Sequence, residues 1–217
     1  MLSPLFRAVQ QLDDPVFVGV LVRSLAWSLL AFLGLLAGAS WAVQHVVGQP
    51  GWLGWAAGIA GGLGAALLAV WLFVPAAVLI ATLYIDRVSE AVDRRFYPAM
   101  PPPVGGAALS VQVWDGVLLG AQVLGWQVVA LVLALALPGV GLVLGWAVTG
   151  WAIGRGLFVA VAMRRMPRAQ ALLVYGGRRP AVLLLGLILA LAGTVPLLNL
   201  LVPVLGVAAL THVLNRG

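Results

Sequence analysis

The amino-acid sequence predicts an all-α membrane protein, with two long transmembrane helices followed by two helical hairpins that are re-entrant in type. Three observations carry this. Charged residues are missing from 24–85, 116–154 and 180–215 and crowded into the segments before and between those runs. The 217-residue chain is 63% hydrophobic and only 8% charged, with a mean hydropathy of +1.12, whereas a soluble domain is about half apolar and a quarter charged. The first charge-free run also suffices for two crossings of a hydrocarbon core about 30 Å thick, each needing about 20 residues.

The elements follow in order within one membrane domain, 1–217. Residues 1–23 form an amphipathic N-terminal segment, in which Pro4 to Leu12 precedes Asp13-Asp14-Pro15. That triplet reads as a helix start, with Asp14 as N-cap and Pro15 at the first helical position. The helix then runs from Val16 through Arg23 into a first span, which Gly48-Gln49-Pro50-Gly51 ends. A second helix begins near Trp52, stays apolar to Ile85, about 51 Å of helix, and kinks at Pro75. Its continuation, Asp86 to Arg95, pairs Glu90 with Arg94 at i,i+4 and reads as a solvated cytoplasmic stalk closing a helix pair over 24–95. Tyr97-Pro98 and Pro101-Pro102-Pro103 stop the helix. Hairpin 1 (107–165) bends at Pro138 to Gly141, and hairpin 2 (178–216) bends between Pro196 and Pro203. Between them Arg164, Arg165, Arg168, Arg178 and Arg179 surround a short amphipathic segment that Gly176-Gly177 closes.

Charge sets the orientation. The loop 48–51 is uncharged, and the Arg clusters lie on the side of the N-terminus, so the positive-inside rule puts that side in the cytoplasm. Hairpin depth follows from the tips, which are apolar apart from Thr194 and Asn199. From Arg155 back to Pro138, or from Arg179 to Pro196, is about 25 Å of helix, less than the hydrocarbon thickness. Irregular backbone at that depth needs protein or a cavity around it, so the tips are expected to meet each other, a pore or another subunit of a homo-oligomer. Full spanning stays open for the arm from Asp115 to Pro138. Gly34 and Gly38 on the first helix and Gly54, Gly58 and Gly62 on the second recur at i+4, the pattern that lets helices approach closely in lipid.

Chemistry-bearing groups are scarce. The chain has no cysteine, which excludes disulfides and thiolate chemistry. His45 and His212 have no companion ligands at metal spacing and read as interfacial residues. Asp13, Asp14, Asp86, Glu90, Asp93 and Asp115 all border apolar runs, so neither a buried acid pair nor a proton relay is expected. An enzyme is disfavoured and no cofactor is expected. The net charge of +6 belongs to membrane-flanking Arg residues, not to a nucleic-acid patch. Arg155 is the ionisable residue inside otherwise apolar sequence. An anion ligand and an Arg snorkelling to the interface are its two readings.

Tyr175-Gly176-Gly177-Arg178-Arg179-Pro180 and the run from Pro196 to His212 resemble the C-terminal signature of the CysZ and etoposide-induced-protein family. Glu90 to Pro98 and Gly154-Arg155 through Pro167 are similar to it in the same order. The resemblance implies a helical inner-membrane protein, a sulfate permease in bacterial CysZ members, with hairpins that enter the bilayer partway. Where such members carry a Gly-Leu-Arg-Arg type sequence after the N-terminal proline, this chain has Val16 to Gly19, and its nearest Arg is Arg23. Where relatives carry acidic residues just after the match to Arg155, it has Gly156 and Val159, so Arg155 is expected to lack an acidic partner. The expected function is therefore passive permeation of a small oxyanion such as sulfate, with Arg23 and Arg155 as charge partners and Asn199 as a hydrogen-bonding group at a tip. The alternative is a non-transporting scaffold whose Arg164, Arg165, Arg168, Arg178 and Arg179 bind anionic lipid head groups or a partner.

Overall fold

A computed structural model describes residues 3–46 and 84–215. Every regular element among them is an α-helix, so the protein is all-α. The chain forms two compact units, Leu21–Tyr84 and the remainder.

The larger unit opens with α1 (Ser3–Val9), which buries Pro4 and Ala8 and packs on the last helix of the chain. α2 (Pro15–Val46) starts as expected. The Val16 backbone N–H donates to Asp14 Oδ1 at 2.9 Å, which satisfies one of the donors that a helix start leaves open. α3, described over residues 84–96, is not a solvated stalk. Its face of Val88, Ser89, Ala91 and Val92 is buried, and Asp86 and Asp93 pair with Arg164 and Arg165 of a later turn. Two of the polar residues that read as solvation thus hold a neighbouring turn, while Arg87, Glu90 and Arg94 are exposed.

α4 (Leu109–Ala136) and α5 (Pro138–Met163) make the first hairpin. Pro138 lacks an N–H and pushes its predecessor out of helical geometry, and Leu137 takes φ −139°, ψ 81°. The bend can be this tight because Gly141 has no side chain; a Cβ there would overlap the Ala134 backbone. α6 (Arg168–Ala192) follows Pro167, and α7 (Pro196–Asn215) completes the second hairpin. Here two expectations are corrected. Gly176-Gly177 does not close a short segment, since α6 runs through both and through Pro180. The second bend is at 193–195, where the Thr194 hydroxyl donates to the Leu191 carbonyl at 2.7 Å; Pro196 begins α7 and Pro203 lies inside it.

α5 is central, packing against α4, α6 and α7. Its contact with α6 is set by glycine. A Cβ on Gly154 would stand 2.5 Å from the Val182 carbonyl oxygen, and one on Gly186 would overlap the Gly150 carbonyl. Small residues at this spacing drive helix association in lipid. The core, which includes Phe158, Val161, Leu185, Leu189 and Leu210, sits toward the Arg-rich end. Toward the first bend the surface is apolar and outward-facing, with Leu124, Leu131 and Leu135 more than 60% exposed, as a hydrocarbon surround requires. α4, α5 and α6 have 28, 26 and 25 residues, about 42, 39 and 38 Å. All three are long and apolar enough to cross a membrane. The expectation of short arms counted each arm only as far as its first charge.

In the other unit, residues 21–46 continue α2, with Arg23, Trp27, Gly34 and Gly38 exposed. The turn 48–51 and Gly54, Gly58 and Gly62 lie outside the described residues, and so does the helix pairing expected of these glycines.

A buried arginine–aspartate cluster as the candidate functional site

The loop before α4 is stitched to the end of α5. The Ala107 N–H donates to the Met163 carbonyl at 2.8 Å, and Gly106 lies so close to Arg164 that a Cβ would stand 2.5 Å from its carbonyl oxygen. Gln112 Nε2 then donates to the Ala107 carbonyl at 2.9 Å, fixing the first turn of α4. The two helices therefore run antiparallel from a shared end, and the second turn of α4 faces the second half of α5.

Asp115 and Arg155 meet there. Arg155 Nη1 donates to Asp115 Oδ2 and Nη2 to Oδ1, both at 3.1 Å. Arg168, the first residue of α6, reaches the same carboxylate, its Nε and Nη2 each 2.7 Å from Oδ1. Exposure is 3% for Asp115 and 8% for Arg155, while the Arg168 side chain keeps 33%. Next to Arg155, Gly156 leaves room for Leu119 of α4, a Cβ there falling 2.9 Å from Leu119 Cδ2. The cluster lies about 9 Å along α4 from its start. Arg155 is thus neither partnerless nor snorkelling to water, and a carboxylate read as flanking an apolar run is buried inside the helical unit. Two guanidiniums against one carboxylate leave a positive charge unbalanced.

The signal for this pairing is present in the chain. Asp115 and Arg155 are the charges bounding the run 116–154, and a run that doubles back at Pro138 brings its ends together. The two arms differ by about 6 Å, which the long Arg155 side chain bridges. A smaller polar contact lies along the same hairpin, where Gln127 Nε2 donates to Thr149 Oγ1 at 3.1 Å.

Arg23 belongs to the other unit. Asn199 is in the first turn of α7, about 10 Å along the axis from Gly206, which packs against Leu157; its side chain, like that of His45, lies outside the described residues. His212 is fully buried, not interfacial. Its Nδ1 is 3.0 Å from the Tyr97 hydroxyl, and its ring stands edge-on to Phe96. Arg178 donates to the Val213 and Leu214 carbonyls at the end of α7, where a cation complements the helix dipole. Arg164 and Arg165 are taken by Asp86 and Asp93, and Arg179 is exposed, over the Tyr175 ring. Among the described residues no three His, Cys, Asp or Glu side chains gather to hold a metal ion.

Comparison with known proteins gives one match: the family model described as Sulfate transporter CysZ/Etoposide-induced protein 2.4 matches residues 4–203. No curated protein and no solved structure matches the chain.

Proposed function

The chain belongs to the CysZ/etoposide-induced protein 2.4 family and is a multi-pass membrane protein, and from that premise we propose that it is a passive permease for a small oxyanion such as sulfate. The observation that carries the proposal is the Arg155–Asp115–Arg168 cluster. Ionisable residues are expensive inside a membrane protein and are kept there for ion pathways and relays, and this cluster carries excess positive charge beside apolar helix surface. Arg155 and Arg168 supply charge and planar donor pairs suited to an oxyanion, while Asn199 is a further hydrogen-bonding group of the same unit. The protein acts as a homo-oligomer in a bacterial inner membrane. Its N-terminus and Arg-rich end face the cytoplasm, in keeping with the packing of α1 on α7 in the larger unit. It performs no catalysis, and the hairpin tips stay within the bilayer. Sulfate uptake into liposomes containing the purified protein tests this: uptake above protein-free liposomes, saturable and inhibited by related oxyanions, is the expected result, and background uptake refutes it.

One observation favours a second reading, a non-transporting scaffold. A groove of about 270 Å³ beside the first hairpin is lined by Trp126, Leu144, Ala147, Val148 and Trp151, a chiefly apolar set without a charged side chain, whose side-chain donors are the two indole N–H groups. In that reading Arg164, Arg165, Arg168, Arg178 and Arg179 attract anionic lipid head groups, and binding to phosphatidylglycerol vesicles without anion flux is the outcome that selects it.

A further inference from the structure

The chemistry of the cluster goes a step beyond a site that attracts anions. Asp115 Oδ1 takes donors from both guanidiniums, whereas Oδ2 is bonded by Arg155 alone. Arg–carboxylate recognition is strongest when a guanidinium holds two oxygens of its own. One carboxylate cannot offer that to two arginines; a tetrahedral oxyanion with four oxygens can. Charge points the same way, because a monovalent carboxylate leaves one of the two guanidiniums unbalanced and a divalent anion neutralises both.

Access and support also fit. The Arg168 side chain is one-third exposed while Asp115 is almost wholly covered, so the cluster opens to its surroundings on the Arg168 side. Asp115 is carried by α4, the least buried of the three long apolar helices. α4 buries only Asp115 and Ala130 among its 28 residues, and its contacts are chiefly with α5. We infer that Asp115 is a tethered counter-anion: its carboxylate occupies the place between Arg155 and Arg168 that a divalent oxyanion takes, and an anion enters by displacing it. The inference rests on the permease reading for its consequence in transport, but not for the identity of the site.

Two measurements test it. The first is the melting midpoint of the detergent-solubilised protein in sulfate against chloride at matched ionic strength. Asp115→Asn should gain a sulfate-specific stabilisation of several degrees that wild type lacks, and adding Arg168→Gln should abolish it. The second is the sulfate concentration for half-maximal flux in liposomes. Asp115→Asn should lower it about tenfold, while Arg168→Gln, which keeps the buried Arg155–Asp115 pair and so folds, should raise it about tenfold. Sulfate-specific stabilisation without flux in any variant retains the anion site and refutes the permease reading. Flux in wild type with half-saturation unchanged in Arg168→Gln and no sulfate-specific stabilisation of Asp115→Asn overturns the counter-anion and leaves the permease. If Asp115→Asn does not fold in chloride, recovery of folded protein in sulfate alone supports the inference, and equal failure in both salts overturns it.

Discussion

Replacing the members of the buried cluster one at a time and together should expose how it is held. Arg155→Gln removes one of two cations around a carboxylate that is 3% exposed. Arg168 still donates to Asp115 Oδ1 through Nε, so the carboxylate stays partly paired. Breaking a buried ion pair by deleting one partner costs about 3–5 kcal/mol, and the remaining Arg168 puts this variant at the lower end, about 3 kcal/mol. Asp115→Asn strips the shared counter-ion from two neighbouring guanidiniums and should fall at the upper end, about 5 kcal/mol. The double variant leaves a single Arg that is one-third exposed beside two neutral amides. Its loss should therefore be smaller than the sum by about 2–3 kcal/mol, the coupling of residues sharing a network. The assay is reversible unfolding in mixed micelles titrated with a denaturing detergent. Single losses below about 1 kcal/mol, the range of an exposed pair, or strict additivity would refute a buried, coupled cluster.

Four further outcomes can be checked, the labelling in intact membranes and the others in the same micelles. Gly154→Val should destabilise by about 1–3 kcal/mol through overpacking, because its Cβ meets the Val182 carbonyl at 2.5 Å. Gly176→Ala, in the interior of α6 with open space around it, should stabilise by about 0.5–1 kcal/mol; a loss there would mean that the helix does not run through. The chain has no cysteine, so Gln49→Cys should react with an impermeant thiol reagent from outside while Gly139→Cys and Asn199→Cys are protected; rapid external labelling of both tips would sink re-entrance. Arg95, 2.9 Å away, holds the Asp13 carboxyl below its ordinary value, chiefly through the side-chain hydrogen bond. A depressed folded-state pKa means that the contact contributes above the unfolded-state value, about 3.9, and is lost as pH falls through the folded one. The difference between wild type and Asp13→Asn should therefore shrink as pH drops below about 4, and a difference that grows would contradict the contact.

What the chain determined by itself was whatever depends on neighbours in sequence or on solvent. Charge-free runs demand hydrocarbon, Asp14-Pro15 starts a helix, and Pro138 breaks one; each follows from backbone donors and desolvation within a few residues. The ordered motifs from 90 to 212 identified the family for the same reason, being short and local. Tertiary structure alone decided which charges are inside. Asp115 and Arg155 lie 40 residues apart in sequence, and each taken alone is a group that water would hold at the membrane surface. Only when the hairpin closes does each become the other's solvent. His212 was misread in the same way, since its partners Tyr97 and Phe96 come from α3 and its neighbour. Gly150, Gly154 and Gly186 bring α5 and α6 together, whereas Gly34 and Gly38, spaced as regularly, have nothing among the described residues within 4 Å of a Cβ. Spacing on one helix says that close approach is allowed, but which partner takes it is set by the register between helices, and register is fixed by a whole interface at once.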